Sequence, residues 1–184
     1  MIITTGSLKF KKISSIKNSN LRPTSNKVRQ AIFNILKHKL DMDVWKKKSC
    51  MLDAFAGTGI VAFEAISRGF AKTTLIEKDK KNFKKLLENA SNLNLSQQVN
   101  IINDDFLNIR NLPCKYKLVY LDPPYYKNII NQAVEKILDI KILDTNSIIV
   151  CETEGSFNFE DKIKKLKNFS KTYGSVKLTF IVYS

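Results

Sequence analysis

The sequence predicts an α/β protein built on a mostly parallel sheet. Three observations lead there. Short apolar runs and amphipathic stretches alternate five times after residue 49, the pattern of parallel strands joined by helical crossovers. The first apolar run ends in Ala56-Gly57-Thr58-Gly59, a glycine turn of the kind that passes a strand directly into a helix. The last two runs, 169–173 and 176–183, are separated only by Gly174-Ser175. That connection is too short for a crossover, so it closes a hairpin and turns one strand antiparallel.

Each element follows from local signals. Residues 1–21 read as one or two short strands with a Ser/Asn turn at 14–20. Pro23, Thr24 and Ser25 supply a helix start, and Val28, Ala31, Ile32, Ile35 and Leu36 recur at three-to-four spacing, predicting an amphipathic helix over 25–40. A polar segment at 41–49 links it to a strand at 50–55. A helix at 60–68 then stops at Gly69, placed where a helix terminates in the left-handed conformation. Strands at 72–77, 99–103, 117–122 and 147–152 alternate with helices at 80–94, 129–138 and 159–167. With the closing hairpin this makes seven strands, one of them antiparallel. The chain divides into a basic N-terminal extension at 1–45 and a main domain at 46–184.

Composition narrows the class. Of 184 residues, 43% are apolar and 26% charged, enough to bury a core and keep a polar surface. No apolar run approaches the roughly 18 residues of a membrane span, and no secretory or organellar leader is legible, so a cytoplasmic protein is expected. Cys50, Cys114 and Cys151 are widely spaced and form no C-x-x-C pair, and His38 is the single histidine. They read as thiols in a reducing compartment and a helix-end histidine, so no metal site is expected. The net charge is +14, and residues 1–40 hold nine basic residues and no acidic one, leaving +5 for the other 144. A basic arm on a near-neutral body points to a polyanionic partner, although lysine-rich stretches in an Asn- and Ile-rich chain also arise as plain solvated faces.

Two motifs carry chemistry. In Asp53-Ala54-Phe55-Ala56-Gly57-Thr58-Gly59 the glycines let backbone turn sharply and approach a ligand. Glu77 ends the next strand 20 residues after Gly57, where a carboxylate can accept both ribose hydroxyls of a nucleoside cofactor. Asp105, just after the third strand, is expected beside the adenine of such a cofactor, with Asp104 as the neighbouring alternative. Gly57-x-Gly59-x-x-Ala62 also satisfies the dinucleotide fingerprint, so an NAD enzyme competes at this point. The second motif, Asp122-Pro123-Pro124-Tyr125, follows the fourth strand. In a doubly wound sheet the first and fourth strands flank the topological switch point, so Gly57 and Asp122 should share one crevice. Two prolines give a rigid loop with outward carbonyls. Asp122 and the Pro123 carbonyl can each accept one hydrogen of an amine and aim its lone pair at an electrophile, while Tyr125 stacks on the base. A Pro-Pro turn that merely ends a strand is the plainer alternative.

Asp122-Pro123-Pro124-Tyr125 resembles the motif of methyltransferases acting on exocyclic amines, and Asp53 to Ile60 resembles their cofactor loop. The resemblance extends to Leu21-Arg22-Pro23-Thr24, to Val28-Arg29-Gln30-Ala31-Ile32-Phe33-Asn34-Ile35-Leu36, to Glu64-Ala65-Ile66-Ser67-Arg68-Gly69, to Ile76-Glu77-Lys78-Asp79 and to Tyr173-Gly174. Together these resemble the bacterial 16S rRNA guanine-N2 methyltransferase family (small-subunit rRNA methyltransferase D) over nearly the whole chain. In place of the family's Gly/Arg-rich first strand stands Gly6-Ser7-Leu8-Lys9-Phe10-Lys11-Lys12.

The resemblance implies a Rossmann-like class I methyltransferase fold and S-adenosyl-L-methionine as cofactor. It implies Asp122, Pro123, Pro124 and Tyr125 in catalysis. It assigns the cofactor to Asp53, Phe55, Ala56, Gly57, Thr58, Gly59, Glu77, Lys78, Asp105, Phe106 and Asp122. For 16S rRNA, in the small subunit or an assembly intermediate, it points to Lys9, Lys11, Lys12, Arg22, Thr24 and Arg29, on a monomeric enzyme. An adenine-N6 methyltransferase on RNA or DNA shares the tetrapeptide, and a non-catalytic RNA-binding assembly factor can share the scaffold. The NAD reading lacks a substrate domain and candidate proton donors.

Overall fold

The computed structural model describes residues 1–16, 24–40, 49–124 and 129–184. Arg22, Tyr125 and most of the expected linker, 41–48, lie outside the described residues. The elements are α1 (Asn26–Leu40), β1 (Cys50–Asp53), α2 (Ile60–Ser67), β2 (Lys72–Ile76), α3 (Lys80–Asn92) and β3 (Val99–Ile102). A short 3-10 turn (Phe106–Asn108), β4 (Tyr116–Leu121), α4 (Ile129–Asp139), β5 (Leu143–Glu154), α5 (Asp161–Lys164), β6 (Asn168–Tyr173) and β7 (Val176–Tyr183) complete the chain.

The seven strands form one sheet in the order β3-β2-β1-β4-β5-β7-β6. β1 pairs in parallel with β2 and with β4, β4 pairs in parallel with β5, and β7 runs antiparallel to both β5 and β6. This is the expected Rossmann-like α/β sheet with one reversed strand. The order reverses between β1 and β4, so their carboxyl ends open a crevice where a ligand fits. Each face of the sheet carries its own apolar cluster. One joins Met51, Phe63, Leu86, Tyr120 and Val150 under α1, α2 and α3, and the other joins Leu52, Phe106, Leu121, Val134 and Ile149 under α4.

The N-terminal segment packs onto the first of these faces. The one or two short strands expected at its start do not form among the described residues, where bends and turns leave only a single antiparallel bridge between Ile2 and Lys12, and Ile3, Ile13, Val28, Ile32, Phe33 and Leu36 join the same cluster as Met51 and Phe63. Ser25 begins α1, its hydroxyl accepting the Val28 amide at 3.2 Å, as an N-cap does. Most elements fall within two residues of the sequence expectation at each end, and two depart further. β5 is longer, because its pairing with β7 runs from Ser147 to Glu154 and Leu143 also pairs with Tyr116. The helix expected at 159–167 is a single turn. Phe157 and Phe159 pack edge to face at 5.0 Å and fix its start, and β6 takes over at Asn168 with the Lys167 carbonyl accepting from the Val182 amide. No described helix is long and apolar enough to cross a membrane.

Candidate active site

Local sequence builds the crevice wall by wall. β1 ends at Asp53 because the chain then turns through Ala56-Gly57-Thr58-Gly59 into α2. Gly59 has φ +77°, and an added Cβ would lie 2.4 Å from Leu86 Cδ1 and 2.6 Å from Phe63 Cε2. A left-handed backbone under a packed helix admits glycine alone at acceptable cost. The turn is tied to the next strand through Glu77, whose carboxylate accepts from the Gly57 amide at 2.8 Å and from the Asp79 amide at 2.7 Å. Asn103 donates to the Glu77 and Lys78 carbonyls and holds that strand end from the far side.

The resulting cavity has a volume of about 980 Å³ and is lined by Thr24, Asp53, Phe55, Gly57, Glu77, Lys78, Asp104, Asp105, Phe106, Asp122, Pro123 and Pro124 among others. The glycine loop, the acidic residue after β2 and the Asp-Pro-Pro segment after β4 therefore face one space, the convergence their spacing predicts. Ala56, Thr58 and Tyr120 line it too, whereas Gly59, expected to bind the cofactor, is not in the lining and packs against Leu86 and Phe63 in the turn into α2. Among the described residues no cluster of three or more His, Cys, Asp or Glu side chains is arranged to hold a metal ion.

The acids in the cavity differ in environment. Asp53 is 1% exposed, its Oδ1 has no hydrogen-bond partner, and burial, with Glu77 nearby, pushes its carboxyl up to about 7 against the pull of the Phe55 amide. Burial also raises Glu77, against the two amides that stabilise its charge. Asp105 is held below the usual carboxylate range by Lys78 at 2.8 Å, and it caps the 3-10 turn by accepting from Leu107. Asp104, more exposed, accepts the Asp105 amide and lines the cavity beside it. Phe106 is buried and meets Phe55 edge to face at 5.9 Å, an apolar wall of the size a purine needs.

Asp122 is half-buried at the β4 end of the crevice. Its carboxyl is raised well above the ordinary range by burial, then by Glu152 and Asp53, while Thr24 and Tyr120 work the other way by hydrogen bonding. The Thr24 hydroxyl lies 3.4 Å from Asp122 Oδ2 and 3.1 Å from the Tyr120 hydroxyl, which donates to Glu152 Oε2 at 2.6 Å. Sequence reading missed Tyr120 and Glu152. Their signal is strand alternation: 120, 122 and, across the β4–β5 pairing, 152 share one face.

The structure corrects one expected phosphate ligand and moves another. Arg29 is not at an RNA surface. It is 0% exposed, with its guanidinium on Glu64 Oε2 at 3.4 Å, the Ile2 carbonyl at 2.6 Å, the Asn26 amide oxygen at 2.9 Å and the Thr24 carbonyl at 3.3 Å. A helix position that faces the sheet buries whatever stands there, and Glu64 on α2 supplies the charge that makes a buried arginine tolerable. Thr24 is likewise buried and faces Asp122 inside the crevice. Lys9, Lys11 and Lys12 are exposed, around Phe10, which is 73% exposed at φ +70° with Lys9 Nζ 4.7 Å from its ring centre.

A family model described as "Conserved hypothetical protein 95" matches residues 1–182. The "Ribosomal RNA small subunit methyltransferase D" of Buchnera aphidicola is 37% identical over 156 residues, 83% of this chain and 77% of the relative. The chain belongs to the ribosomal RNA small subunit methyltransferase D family. A Haemophilus influenzae structure described as a methylase superposes on this family member with a TM-score of 0.79 at 27% identity, covering 98% of this chain and 97% of the other. An RNA methyltransferase of Salinibacter ruber, solved in complex with S-adenosyl-L-homocysteine, shares the fold with a TM-score of 0.65 at 19% identity, over 88% and 93% of the two chains.

Proposed function

We propose that this member of the family transfers a methyl group from S-adenosyl-L-methionine to the exocyclic N2 amine of a guanine in small-subunit ribosomal RNA. The observation that carries the reading is Asp122-Pro123-Pro124 lining the same cavity as the glycine turn and Glu77. The donor set fits the cofactor. Glu77 keeps acceptor capacity for a ribose diol beyond its two amide bonds. The unpartnered Oδ1 of Asp53 is a buried acceptor suited to the ammonium of an amino-acid moiety. Asp104, Asp105 and the apolar Phe106 flank the place for an adenine. Bound there, the cofactor supplies an already activated methyl group.

What the chain contributes is alignment. Asp122 accepts one amine hydrogen and the Pro123 carbonyl the other, which fixes the nitrogen in line with the donor and replaces a chance encounter with a held geometry. Tyr125 stacks on the flipped base. Residues 1–45 form the RNA-facing extension, with Lys9, Lys11, Lys12 and Arg22 supplying phosphate contacts, which give affinity without base choice. The enzyme works as a monomer in the cytoplasm, where small subunits assemble.

The test incubates the protein with methyl-labelled cofactor and unmethylated small-subunit particles, then maps the labelled base. Label on a guanine N2 supports the reading, and label on an adenine N6 transfers it to the neighbouring class. Asp122→Ala is expected to cut turnover by about a hundredfold or more while cofactor affinity changes little. A variant with wild-type turnover removes Asp122 from the reaction.

A further inference from the structure

We infer that Thr24, Tyr120 and Glu152 form a proton-exit relay that carries the proton lost by the target amine from Asp122 to a second cavity. The inference rests on the amine-methylation reading above, which gives Asp122 a proton to dispose of.

The observations are geometric. Thr24 Oγ1 lies 3.4 Å from Asp122 Oδ2 and 3.1 Å from Tyr120 Oη, and Tyr120 Oη lies 2.6 Å from Glu152 Oε2. Two hydroxyls thus stand in series between two carboxylates. The first gap is long for a hydrogen bond and has room to tighten when substrate fills the crevice, as catalytic contacts do. The two ends of the series open on different spaces. Asp122, Thr24 and Tyr120 line the large crevice, whereas Glu152 lines a separate cavity of about 290 Å³ between the start of α1, with Ser25 and Lys27, and the β6–β7 turn, with Tyr173 and Ser175. A cavity of that size with Glu152, Ser25 and Lys27 in its wall has room and partners for water.

The first hydroxyl of the series is not placed by chance. Arg29 donates to the Thr24 carbonyl at 3.3 Å and is itself clamped by Glu64 and the Ile2 carbonyl.

Transfer forms a nitrogen–carbon bond and breaks a carbon–sulfur bond, whose electron pair stays on sulfur. It leaves one proton too many on the amine nitrogen. Asp122 takes that proton and becomes neutral. Its new O–H donates to Thr24 Oγ1, the Thr24 proton moves to Tyr120 Oη, and the Tyr120 proton moves to Glu152. Asp122 is again a carboxylate, both hydroxyls are restored, and Glu152 releases the proton to water in the second cavity. The groups facing Asp122 suit this traffic. Glu152 from β5 and Asp53 from β1 raise its carboxyl, together with burial, so that it can hold a proton, and Tyr120 is kept protonated by burial and by the two carboxylates. Arg29 sits behind Thr24, and Lys27 stands across the second cavity.

The test compares Tyr120→Phe, Thr24→Val, Thr24→Ser and Glu152→Gln in the full chain. The assay uses unmethylated small-subunit particles and S-adenosyl-L-methionine. In Tyr120→Phe, steady-state turnover is expected to fall at least about tenfold, by a clearly larger factor than the first turnover, and to recover as pH rises. Thr24→Ser should retain the wild-type profile and Thr24→Val should not. An equal fall in both phases with no pH dependence, or no fall in either, overturns the relay. A second readout needs neither RNA nor cofactor. Infrared titration of the Asp122 carboxyl, assigned by its loss in Asp122→Asn, should shift to lower pH in Glu152→Gln. An unshifted midpoint overturns the relay even if methylation proceeds as proposed. A shifted midpoint in a chain that methylates no amine leaves the coupling standing and removes the function instead.

Discussion

At the scale of single residues, the site holds charge where water is scarce. Asp53 is the clearest case. In the folded chain its carboxyl titrates at about 7, above its ordinary 3.8. Between those values the folded state holds a proton that the unfolded chain has lost, so stability is present in full below the lower value and is lost as pH rises through the upper one. Asp53→Asn removes that penalty. The variant is expected to be more stable than wild type by about 2–4 kcal/mol at pH 8 and nearly equal at pH 4, read from urea unfolding at both pH values. A variant no more stable at pH 8 would mean the carboxyl finds a partner when it ionises. Under the proposed reading the cofactor ammonium is that partner, which gives a reason to keep an acid where an amide is more stable. Glu77 bears on the same binding event from the other side. Glu77→Ala takes away the diol acceptor and leaves the Gly57 and Asp79 amides unpaired. Calorimetry should find S-adenosyl-L-methionine binding weaker by about 1–3 kcal/mol, and unchanged affinity would move the ribose elsewhere.

At the scale of elements, three pieces of chain meet at one buried ion cluster. Glu64 on α2 is 0% exposed and receives Arg29 from α1, Arg68 from the cap at the end of α2 at 2.9 Å, and the amide and hydroxyl of Thr4 from the N-terminal turn. Removing one partner of such a cluster leaves a buried charge short of compensation. Arg29→Ala is therefore expected to lower unfolding free energy by about 3 kcal/mol in denaturant titration. The loss of the Thr24 anchor should follow as an Asp122-dependent defect in turnover. A change below about 0.5 kcal/mol, the size of a surface effect, would place Arg29 back at the surface. This cluster also marks where sequence stops being informative. The glycine turn, Glu77 and Asp122 were legible because each motif is local and each ends a strand whose position in the sheet follows from chain order. Arg29 and Thr24 were misplaced because a basic or hydroxyl residue looks the same in sequence whether it faces phosphate or the sheet. Charge gives no burial, and burial here depends on Glu64 arriving from another helix. Glu152 stayed invisible for a related reason, since it reaches Asp122 only through the register of β4 against β5.

At the scale of the whole molecule, the charge asymmetry survives the loss of Arg29 from its surface. The net charge is +14, and the first 40 residues carry nine of the basic side chains. Of the described ones, Lys9, Lys11 and Lys12 stand exposed at one tip. That tip is rigidly mounted: the Ser7 amide donates to the Ser67 carbonyl at 2.8 Å, the Leu8 amide to the Ser67 hydroxyl at 2.9 Å, and a Cβ on Gly6 would meet the Ser67 carbonyl oxygen at 1.8 Å. A fixed array of cations matches a fixed array of phosphates better than a flexible one, because little ordering entropy remains to be lost on binding. Folded small-subunit particles are therefore expected to be methylated faster than short naked RNA. The salt dependence separates phosphate contact from mere solvation. Each phosphate neutralised on single-stranded RNA contributes about −0.7 to the slope of log affinity against log salt. Replacing Lys9, Lys11 and Lys12 together by alanine should flatten that slope by about 2 if each touches one phosphate. Fluorescence anisotropy with labelled 16S fragments across a potassium chloride series reads it directly, and the matching rise in KM should shrink at high salt. An unchanged slope would mean that the tip is only a solvated face and that the RNA lies elsewhere, with the remaining basic residues of the extension as the next to test.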